Sequence, residues 1–230
     1  MTLTPGSLQL DALRPRTGLG VRVVVVDSGV HASHPHVGGV AGGVAVAADG
    51  TLSDDFTDRL GHGTAVTAAI REKAPEAEIL IARVFDRQLE TTVTALVAAL
   101  RWAIASRATL VNLSLGTAVA EHAAALQTVV QEGRAAGTRV IAAGAQDGVQ
   151  WLPGTLPDVV AVQLDWGIRR DTGVVEIHDH GAVRVRASGY PRPIPGVPPE
   201  RNLKGLSFAV ANATGLLALV FEDAARHGGG

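Results

Sequence analysis

Residues 21–30 read VRVVVVDSGV, and this stretch decides the fold class. The run Val21–Val26 is short, rich in β-branched residues and almost continuously apolar, as in a strand that is buried on both faces of a parallel sheet. It ends at Asp27, which is followed by the turn-forming pair Ser28 and Gly29. We therefore predict a buried strand with an aspartate at its carboxyl end.

Similar short apolar runs recur along the chain, at Glu78–Val84, Thr109–Leu115, Arg139–Ala143 and Val159–Leu164. Alanine-rich stretches with helical spacing lie between them, at Thr92–Ala105 and Glu121–Ala136, and a last apolar helix is predicted over Leu206–Glu222. Strands that alternate with helices of this length favour parallel pairing through right-handed crossovers. The pattern predicts a single-domain, doubly wound α/β fold, with a mostly parallel sheet and helices on both faces.

Composition narrows the classes of protein to consider. The chain has 230 residues, of which 47% are hydrophobic and 18% charged, so one globular domain with a large core is expected. The formal charge of −2 has no strong block of either sign, so we expect neither a nucleic-acid nor a membrane partner. The chain contains no cysteine, which excludes disulfides, thiol catalysis and cysteine-based zinc sites.

The N-terminal region lacks the apolar segment of a signal peptide, since Asp11, Arg14 and Arg16 interrupt it. No apolar run approaches the ~18 residues of a membrane-spanning helix. These features predict a cytoplasmic protein. They do not indicate an oligomeric state.

Residues that follow parallel strands collect at one edge of the sheet, where ligands of doubly wound folds bind. We therefore expect Asp27, Ser114–Gly116 and Ala145–Asp147 to face a common site. Taken alone, Asp27 is also typical of a turn, of a phospho-acceptor domain, of a phosphohydrolase or of a nucleotide-binding fold. His62 alone is a surface histidine at a helix start, and Ser207 alone is a helix cap.

The three residues together suggest more than any one of them. A serine nucleophile needs a base that takes its proton and a carboxylate that holds the tautomer of that base. Asp27, His62 and Ser207 supply all three groups, in the chain order Asp, His, Ser. A phospho-acceptor domain would leave the histidine and the serine unexplained.

The motifs around these residues resemble those of the subtilases, a family of serine peptidases. The matching stretches are VVVDSGV at residues 24–30, GHGTAV at 61–66, LVNLSLG at 110–116 and GLSFA at 205–209. The resemblance extends over Val21–Glu222. It implies that Asp27, His62 and Ser207 form a catalytic triad and that Ser114, Leu115 and Gly116 bind an extended peptide substrate. It also suggests an N-terminal extension over residues 1–20, a catalytic domain over 21–225 and a disordered tail over 226–230.

The chain departs from the subtilase pattern at several places. Gln146 stands where the family has the asparagine of the oxyanion hole, and we expect its amide to serve there. By the same resemblance, Trp151 and Gly154 lie in the wall of the pocket for the P1 side chain, which precedes the scissile bond. Asp147 is expected at the rim of that pocket. Trp151 would shrink it and favour small P1 residues, whereas Asp147 would favour a basic one.

The other polar clusters of the sequence do not indicate a metal site. The loop that builds a strong calcium site in secreted subtilases is missing, and the histidines at 31, 34, 36, 178 and 180 lack a convergent third or fourth ligand. His178 and His180 are interpreted as two solvated residues on one face of a strand. Asp54, Asp55 and Asp58 are interpreted as a solvated loop. We expect no metal and no cofactor.

The sequence therefore predicts a serine endopeptidase that acts on a peptide or protein substrate, of a small type that fits the processing of a specific precursor. Two alternatives stay open. A pseudoprotease would bind a peptide without cutting it, which Gln146, Leu206 and Trp151 favour. A peptide ligase or cyclase would pass the acyl group to an amine instead of water.

Overall fold

The computed structural model describes residues 3–198 and 201–227, the last five of these by their backbone alone. The strands are β1 (Gly6–Gln9), β2 (Arg22–Asp27), β3 (Gly42–Val46), β4 (Leu52–Ser53), β5 (Glu78–Arg83), β6 (Leu110–Leu113), β7 (Arg139–Ala143), β8 (Ala145–Gln146), β9 (Val149–Gln150), β10 (Val160–Leu164), β11 (Thr172–Ile177) and β12 (Val183–Ala187). The helices are α1 (Leu10–Leu13), α2 (His62–Lys73), α3 (Val93–Ala105), α4 (Ala123–Ala135) and α5 (Leu206–His227).

Within the described residues, one sheet contains ten strands in the order β1-β11-β12-β10-β7-β6-β2-β5-β3-β4. The pairs from β12 to β3 are all parallel, and the pairs at the two edges are antiparallel. A separate hairpin joins β8 to β9. The predicted parallel α/β fold is confirmed.

Alternate residues of β2 point into two different hydrophobic clusters, which is why this strand is apolar throughout. Val23 and Val25 pack with residues of α2 and α5 on one face of the sheet. Val24 and Val26 pack with residues of α3 and α4 on the other face. A central strand covered on both sides needs apolar side chains in both directions.

The predicted strands and helices of the centre are present, with ends within a few residues of those expected. The edge strands β1, β3, β4, β11 and β12 were not predicted. Strand β11 ends at Ile177, and a short 3-10 turn follows over Asp179–Gly181, with His180 in the left-handed region at a φ of 60°. The placement of His178 and His180 on one face of a strand was therefore wrong, although both side chains are exposed.

The N-terminal region packs on the rest of the chain. Strand β1 pairs antiparallel with β11, and the buried Glu222 of α5 accepts hydrogen bonds from the backbone of Thr17 and Gly18. Of the predicted tail, residues 226 and 227 end α5, and 228–230 lie outside the described residues. None of the described helices is long and apolar enough to cross a membrane. The cytoplasmic location stays a prediction.

Candidate active site

The site lies at the carboxyl edge of the sheet, where β2 ends at Asp27 and α2 begins at His62. Two glycines allow the two elements to approach. A Cβ at Gly63 would lie 2.2 Å from the carbonyl oxygen of Gly29, and Gly29 itself has a φ of +101°. Larger residues at either position would separate the helix from the strand end.

Asp27 and His62 form a direct hydrogen bond. His62 Nδ1 lies 2.7 Å from Asp27 Oδ1, and Asp27 is fully buried. Because an ionised carboxylate only accepts, Nδ1 carries the proton and Nε2 is left as the acceptor. The backbone N–H of Ser28 donates to the same Oδ1, while the buried Oδ2 has no hydrogen-bond partner. This geometry holds the imidazole in the tautomer that a general base requires.

Two carboxylates determine the pKa of His62. Burial by itself would lower this pKa, but the hydrogen bond and charge of Asp27 and the charge of Asp58 outweigh it, so the pKa is raised above 6.5. A raised pKa makes His62 a stronger base. It also means that the imidazole is protonated, and unable to accept a proton, over a wider acidic range.

Asp58 is buried, with 2% of its surface exposed, so its placement in a solvated loop was wrong. Its Oδ1 accepts from the Ser28 hydroxyl and from the N–H groups of Leu60 and Gly61, at 2.8 to 2.9 Å. Asp58 Oδ2 accepts from the N–H of Thr64 at 2.9 Å and from the hydroxyl of Thr64 at 2.6 Å. Ser28 Oγ in turn accepts from the N–H of Gly63.

Asp58 and Ser28 therefore satisfy the N–H groups of Gly61, Gly63 and Thr64 at the start of α2, whose N-cap is Gly61 and has no capping side chain. A carboxylate at a helix N-terminus also interacts favourably with the helix dipole. The sequence signal for this role is an aspartate that stands four residues before the first residue of α2. Its loop neighbours Asp54 and Asp55 are exposed, as expected.

Ser207 lies in the first turn of α5, beside the end of β6. Its hydroxyl donates to the carbonyl oxygen of Ser114 at 3.1 Å, and the Ser114 hydroxyl donates to the carbonyl oxygen of Ser207 at 3.2 Å. The Ser114 hydroxyl also accepts from the buried Asn112. The ring of Phe208, the next residue, lies 5.7 Å from the ring of His62. The first turn of α5 thus lies beside His62, and the Ser207 hydroxyl is turned towards Ser114.

Gln146 lies in the β8–β9 hairpin, which follows β7. Its Oε1 accepts from the N–H of Leu164 at 3.2 Å, and its Nε2 donates to Asp147 Oδ1 at 3.2 Å. Asp147 is exposed and has a φ of 51°. A primary amide has two N–H donors, so one remains for another acceptor.

Several residues predicted to bind substrate lie where the segment after β6 meets the segment after β9. Thr117 and Leu152 exchange two hydrogen bonds of 2.9 and 3.0 Å, which brings Trp151 against Gly116. A Cβ on Gly116 would lie 3.1 Å from Trp151 Cβ. A Cβ on Gly154 would lie 1.7 Å from the carbonyl oxygen of Ala143, so only glycine fits there. Leu115 packs against the cluster that contains α3 and α4.

Among the described residues, no group of three or more histidine, aspartate or glutamate side chains is arranged to hold a metal ion. Asn212 of α5 donates to the carbonyl oxygens of Ser188 and Tyr190, at 2.7 and 2.9 Å. These two bonds tie the segment that leads into α5 to the helix that carries Ser207.

Comparison with known proteins agrees with this geometry. The profile of the subtilase family matches residues 18–163. The minor extracellular protease Epr of Bacillus subtilis (strain 168) is 30% identical over 142 residues, which cover 57% of this chain and 21% of that protein. Subtilisin E of the same organism is 29% identical over 161 residues, or 64% of this chain and 41% of that protein. The aligned region is thus less than half of either relative.

A solved structure, the prenylagaramide maturation protease PagA, has a similar fold, with a TM-score of 0.69 and 26% sequence identity. The similarity covers 95% of this chain and 82% of the other. It therefore extends beyond residue 163, where the match to the family profile ends.

Proposed function

Because the chain belongs to the subtilase family, we propose that it is a serine endopeptidase that hydrolyses peptide bonds through an acyl-enzyme. The observation that carries the proposal is the hydrogen bond of 2.7 Å between the fully buried Asp27 and His62, next to the helix start that bears Ser207. A buried carboxylate that fixes a histidine tautomer beside a serine is the arrangement that nucleophilic catalysis requires.

The mechanism starts with a rotation of the Ser207 side chain about χ1, from Ser114 to His62 Nε2. His62 takes the hydroxyl proton while Ser207 Oγ attacks the peptide carbonyl, and the imidazolium then donates that proton to the leaving amine. Water attacks the acyl-enzyme in the second half, again with His62 as base. Apo enzymes often lack well-aligned catalytic hydrogen bonds, so the observed direction of the hydroxyl is compatible with this cycle.

The negative oxygen of the tetrahedral intermediate needs donors. The N–H of Ser207, in the first turn of α5, has no acceptor within the helix and supplies one. The free N–H of Gln146 supplies the second. Its amide is already oriented by Leu164 and Asp147, which limits its freedom and lowers the cost of ordering it.

Substrate binding follows from the segment after β6. An extended peptide adds as a strand along Ser114–Gly116, since its backbone can pair with theirs. The P1 side chain then points towards Trp151 and Gly154. The contact between Trp151 and Gly116 leaves little room there, which supports a preference for a small P1 residue. Asp147, exposed at the rim, attracts a basic neighbour in the substrate.

The natural substrate in this proposal is a precursor peptide. The similar structure PagA is described as a maturation protease, and the similarity covers most of both chains. A restricted P1 pocket fits an enzyme that cuts few sequences. Transfer of the acyl group to an amine, which would join peptides, uses the same residues and is the alternative outcome of the second step.

A second candidate is a pseudoprotease that binds a peptide without cutting it. Two observations favour it: the Ser207 hydroxyl donates to Ser114, and the Gln146 amide is held by protein groups on both of its ends. In that case the hydroxyl would stay with Ser114 when a peptide binds.

Labelling with a fluorophosphonate probe tests the proposal, because the probe reacts with an activated serine and needs no known substrate. The parent protein, Ser207→Ala and His62→Ala are compared by intact mass. We expect one adduct per molecule on the parent and none on either variant. Circular dichroism of all three proteins shows that each is folded.

A folded parent that takes up no probe would refute the peptidase and favour the pseudoprotease. An adduct that persists in Ser207→Ala would show that another residue reacts. When the parent is labelled, the products of a cleaved peptide are analysed by mass, with and without an added amine, which separates hydrolysis from acyl transfer.

A further inference from the structure

A pocket of about 250 Å³ lies beside the start of α2, on the side of the loop that follows β2. It is lined by residues of the loop 31–36, by the first turns of α2 and by residues within 191–194 and at 202–203. Gly61 and Ala65, which line it, stand one residue before and three residues after His62. The pocket is therefore next to the histidine of the site.

The position of His62 identifies which part of a substrate would reach this pocket. In the proposed mechanism His62 gives its proton to the leaving amine, so the leaving half of the peptide passes next to the imidazole. Leu203, which also lines the pocket, lies four residues before Ser207. Ser114, Gly116 and Trp151, proposed for the acyl half, do not line it.

The walls of the pocket are mostly apolar. Ala65 and Ala68 of α2 line it, together with Pro191, and are here called its floor; Ile194 and Leu203 also line it. These last two are among the large hydrophobic side chains that stay exposed, at 45% and 49%. Small residues in the floor and exposed aliphatic residues at the sides fit a large aliphatic side chain of a bound peptide.

Arg192 supplies the positive charge at the pocket, and the other titratable residues that line it in the described part of the chain are histidines. Arg192 and the histidines at 31, 34 and 36 line it, and no described carboxylate does. Arg192 donates to the backbone carbonyl of His36 at 3.0 Å and forms no ion pair with a described residue. Glu72 lies near, but it is engaged by Arg170 and Lys73. An acidic group would therefore be attracted to Arg192.

We propose that this pocket selects the leaving half of the substrate, by binding a large aliphatic side chain whose neighbour in the peptide is acidic and pairs with Arg192. The proposal rests on the proposed endopeptidase function. It defines a substrate class with two features that can be varied separately, one apolar and one charged.

The test uses internally quenched peptides. A synthetic random peptide library first identifies a cleaved sequence. The acyl half of that sequence is then kept constant. In the leaving half, the position at which cleavage of the library shows a preference carries leucine or alanine. The neighbouring position carries glutamate, glutamine or lysine. For the parent we expect leucine to exceed alanine in kcat/KM by about tenfold. Glutamate should exceed glutamine by about fivefold, as for a partly exposed ion pair.

Variants separate the two features. Ala65→Leu fills the floor and should remove the preference for leucine over alanine. Arg192→Glu reverses the charge and should make lysine the preferred neighbour, a change of specificity that loss of structure would not produce. Arg101→Gln, on α3 and paired with Glu132 away from the pocket, should keep the parent's preferences.

The two proposals fail in distinguishable ways. The pocket proposal alone would be overturned if the parent is labelled by the fluorophosphonate but its cleavage rate does not depend on the leaving half. It would also be overturned if the Arg192→Glu variant still prefers glutamate. A folded parent with neither labelling nor cleavage would overturn the endopeptidase, and the pocket proposal with it.

Discussion

Two carboxylates act on the imidazole of His62 from different places. Asp27 touches it directly, at 2.7 Å, and fixes its tautomer. Asp58 does not touch it but holds the turn from which it projects, through the N–H groups of Leu60, Gly61 and Thr64. Both charges raise the pKa of His62. Asp58 is therefore a positioning residue whose effect should be visible in a pH profile.

We expect Asp58→Asn to lower kcat/KM about tenfold or more, because a small shift of His62 misaligns the proton transfer. His62 must be neutral to act as base, so the parent's activity should fall as pH drops through a pKa above 6.5. Without the Asp58 charge, this acid limb should move to lower pH. The measurement is kcat/KM from pH 5 to 9 on a cleaved peptide.

Asp54→Asn is the matched control, since Asp54 lies in the same loop but is exposed. It should leave both the rate and the acid limb unchanged. If Asp58→Asn lowered the rate but left the acid limb in place, Asp58 would support only the local structure and not the electrostatics of His62.

At the scale of elements, the site depends on how closely α2 and α5 approach the sheet and each other. The first turn of α2 lies against the end of β2 at Gly63 and Gly29. Further along, Gly215 of α5 lies against the side chain of Lys73 of α2. Helix α2 is thus packed through glycine at two places, against the end of β2 and against α5, and these contacts fix where its first residue, His62, lies.

Gly63→Ala should destabilise the protein by about 1 to 3 kcal/mol, as in other overpacked sites. Its Cβ would lie 2.2 Å from a backbone oxygen that cannot move far. Fluorophosphonate labelling should also slow, because His62 is the adjacent residue. Urea unfolding and the labelling rate are measured on the same preparation.

Gly133→Ala in α4 is the control for that variant. There a Cβ would meet its nearest neighbour, a side-chain atom of Ile104, at 3.4 Å, an ordinary contact. Alanine is the better helix former, so this variant should be as stable as the parent or slightly more stable. Equal stability of Gly63→Ala and the parent would show that the start of α2 adjusts without cost.

At the scale of the whole molecule, a buried lysine lies where the two helices meet and forms an ion pair with a partly exposed glutamate. Lys73 is 3% exposed, and its Nζ lies 3.3 Å from Glu72, which also pairs with Arg170. Burial lowers the pKa of Lys73 to about 8, although the charge of Glu72 opposes the shift. Between pH 8 and about 10.4 the unfolded chain binds the proton and the folded one does not, so stability rises with pH there.

Lys73→Met should therefore raise the free energy of unfolding at pH 7, by about 1 to 3 kcal/mol, because it removes a charge that is costly to bury. The gain should shrink as pH increases from 8 to 10, where the parent's lysine is already neutral in the folded state. Urea unfolding at pH 7 and pH 9.5 measures both values.

Lys204→Met provides the comparison, since Lys204 is exposed, and it should change stability little at either pH. A Lys73→Met variant that is less stable than the parent at pH 7 would contradict the prediction. It would show that the attraction between Lys73 and Glu72 exceeds the cost of burial.

The central strands and helices could be predicted because the residue pattern that indicates each of them lies within its own segment. A strand such as β2, covered on both faces, is recognisable by its continuous valines, and α3 and α4 by their apolar spacing. The edge strands were missed because their pattern is weak. In β11 and β12 buried and partly exposed residues alternate, and their pairing joins distant segments.

The parallel α/β fold and the choice of Asp27, His62 and Ser207 follow from the amino-acid sequence, because each of these residues lies in a short motif at the end of a predictable element. The burial of Asp58, the hydrogen bond from the Ser207 hydroxyl to Ser114 and the position of Arg192 at a pocket beside His62 are known only from the folded structure. Those features arise from contacts between segments that are far apart in the chain. Burial and hydrogen-bond partners depend on which segments meet in the fold, and a short stretch of sequence does not show which distant segments it will contact.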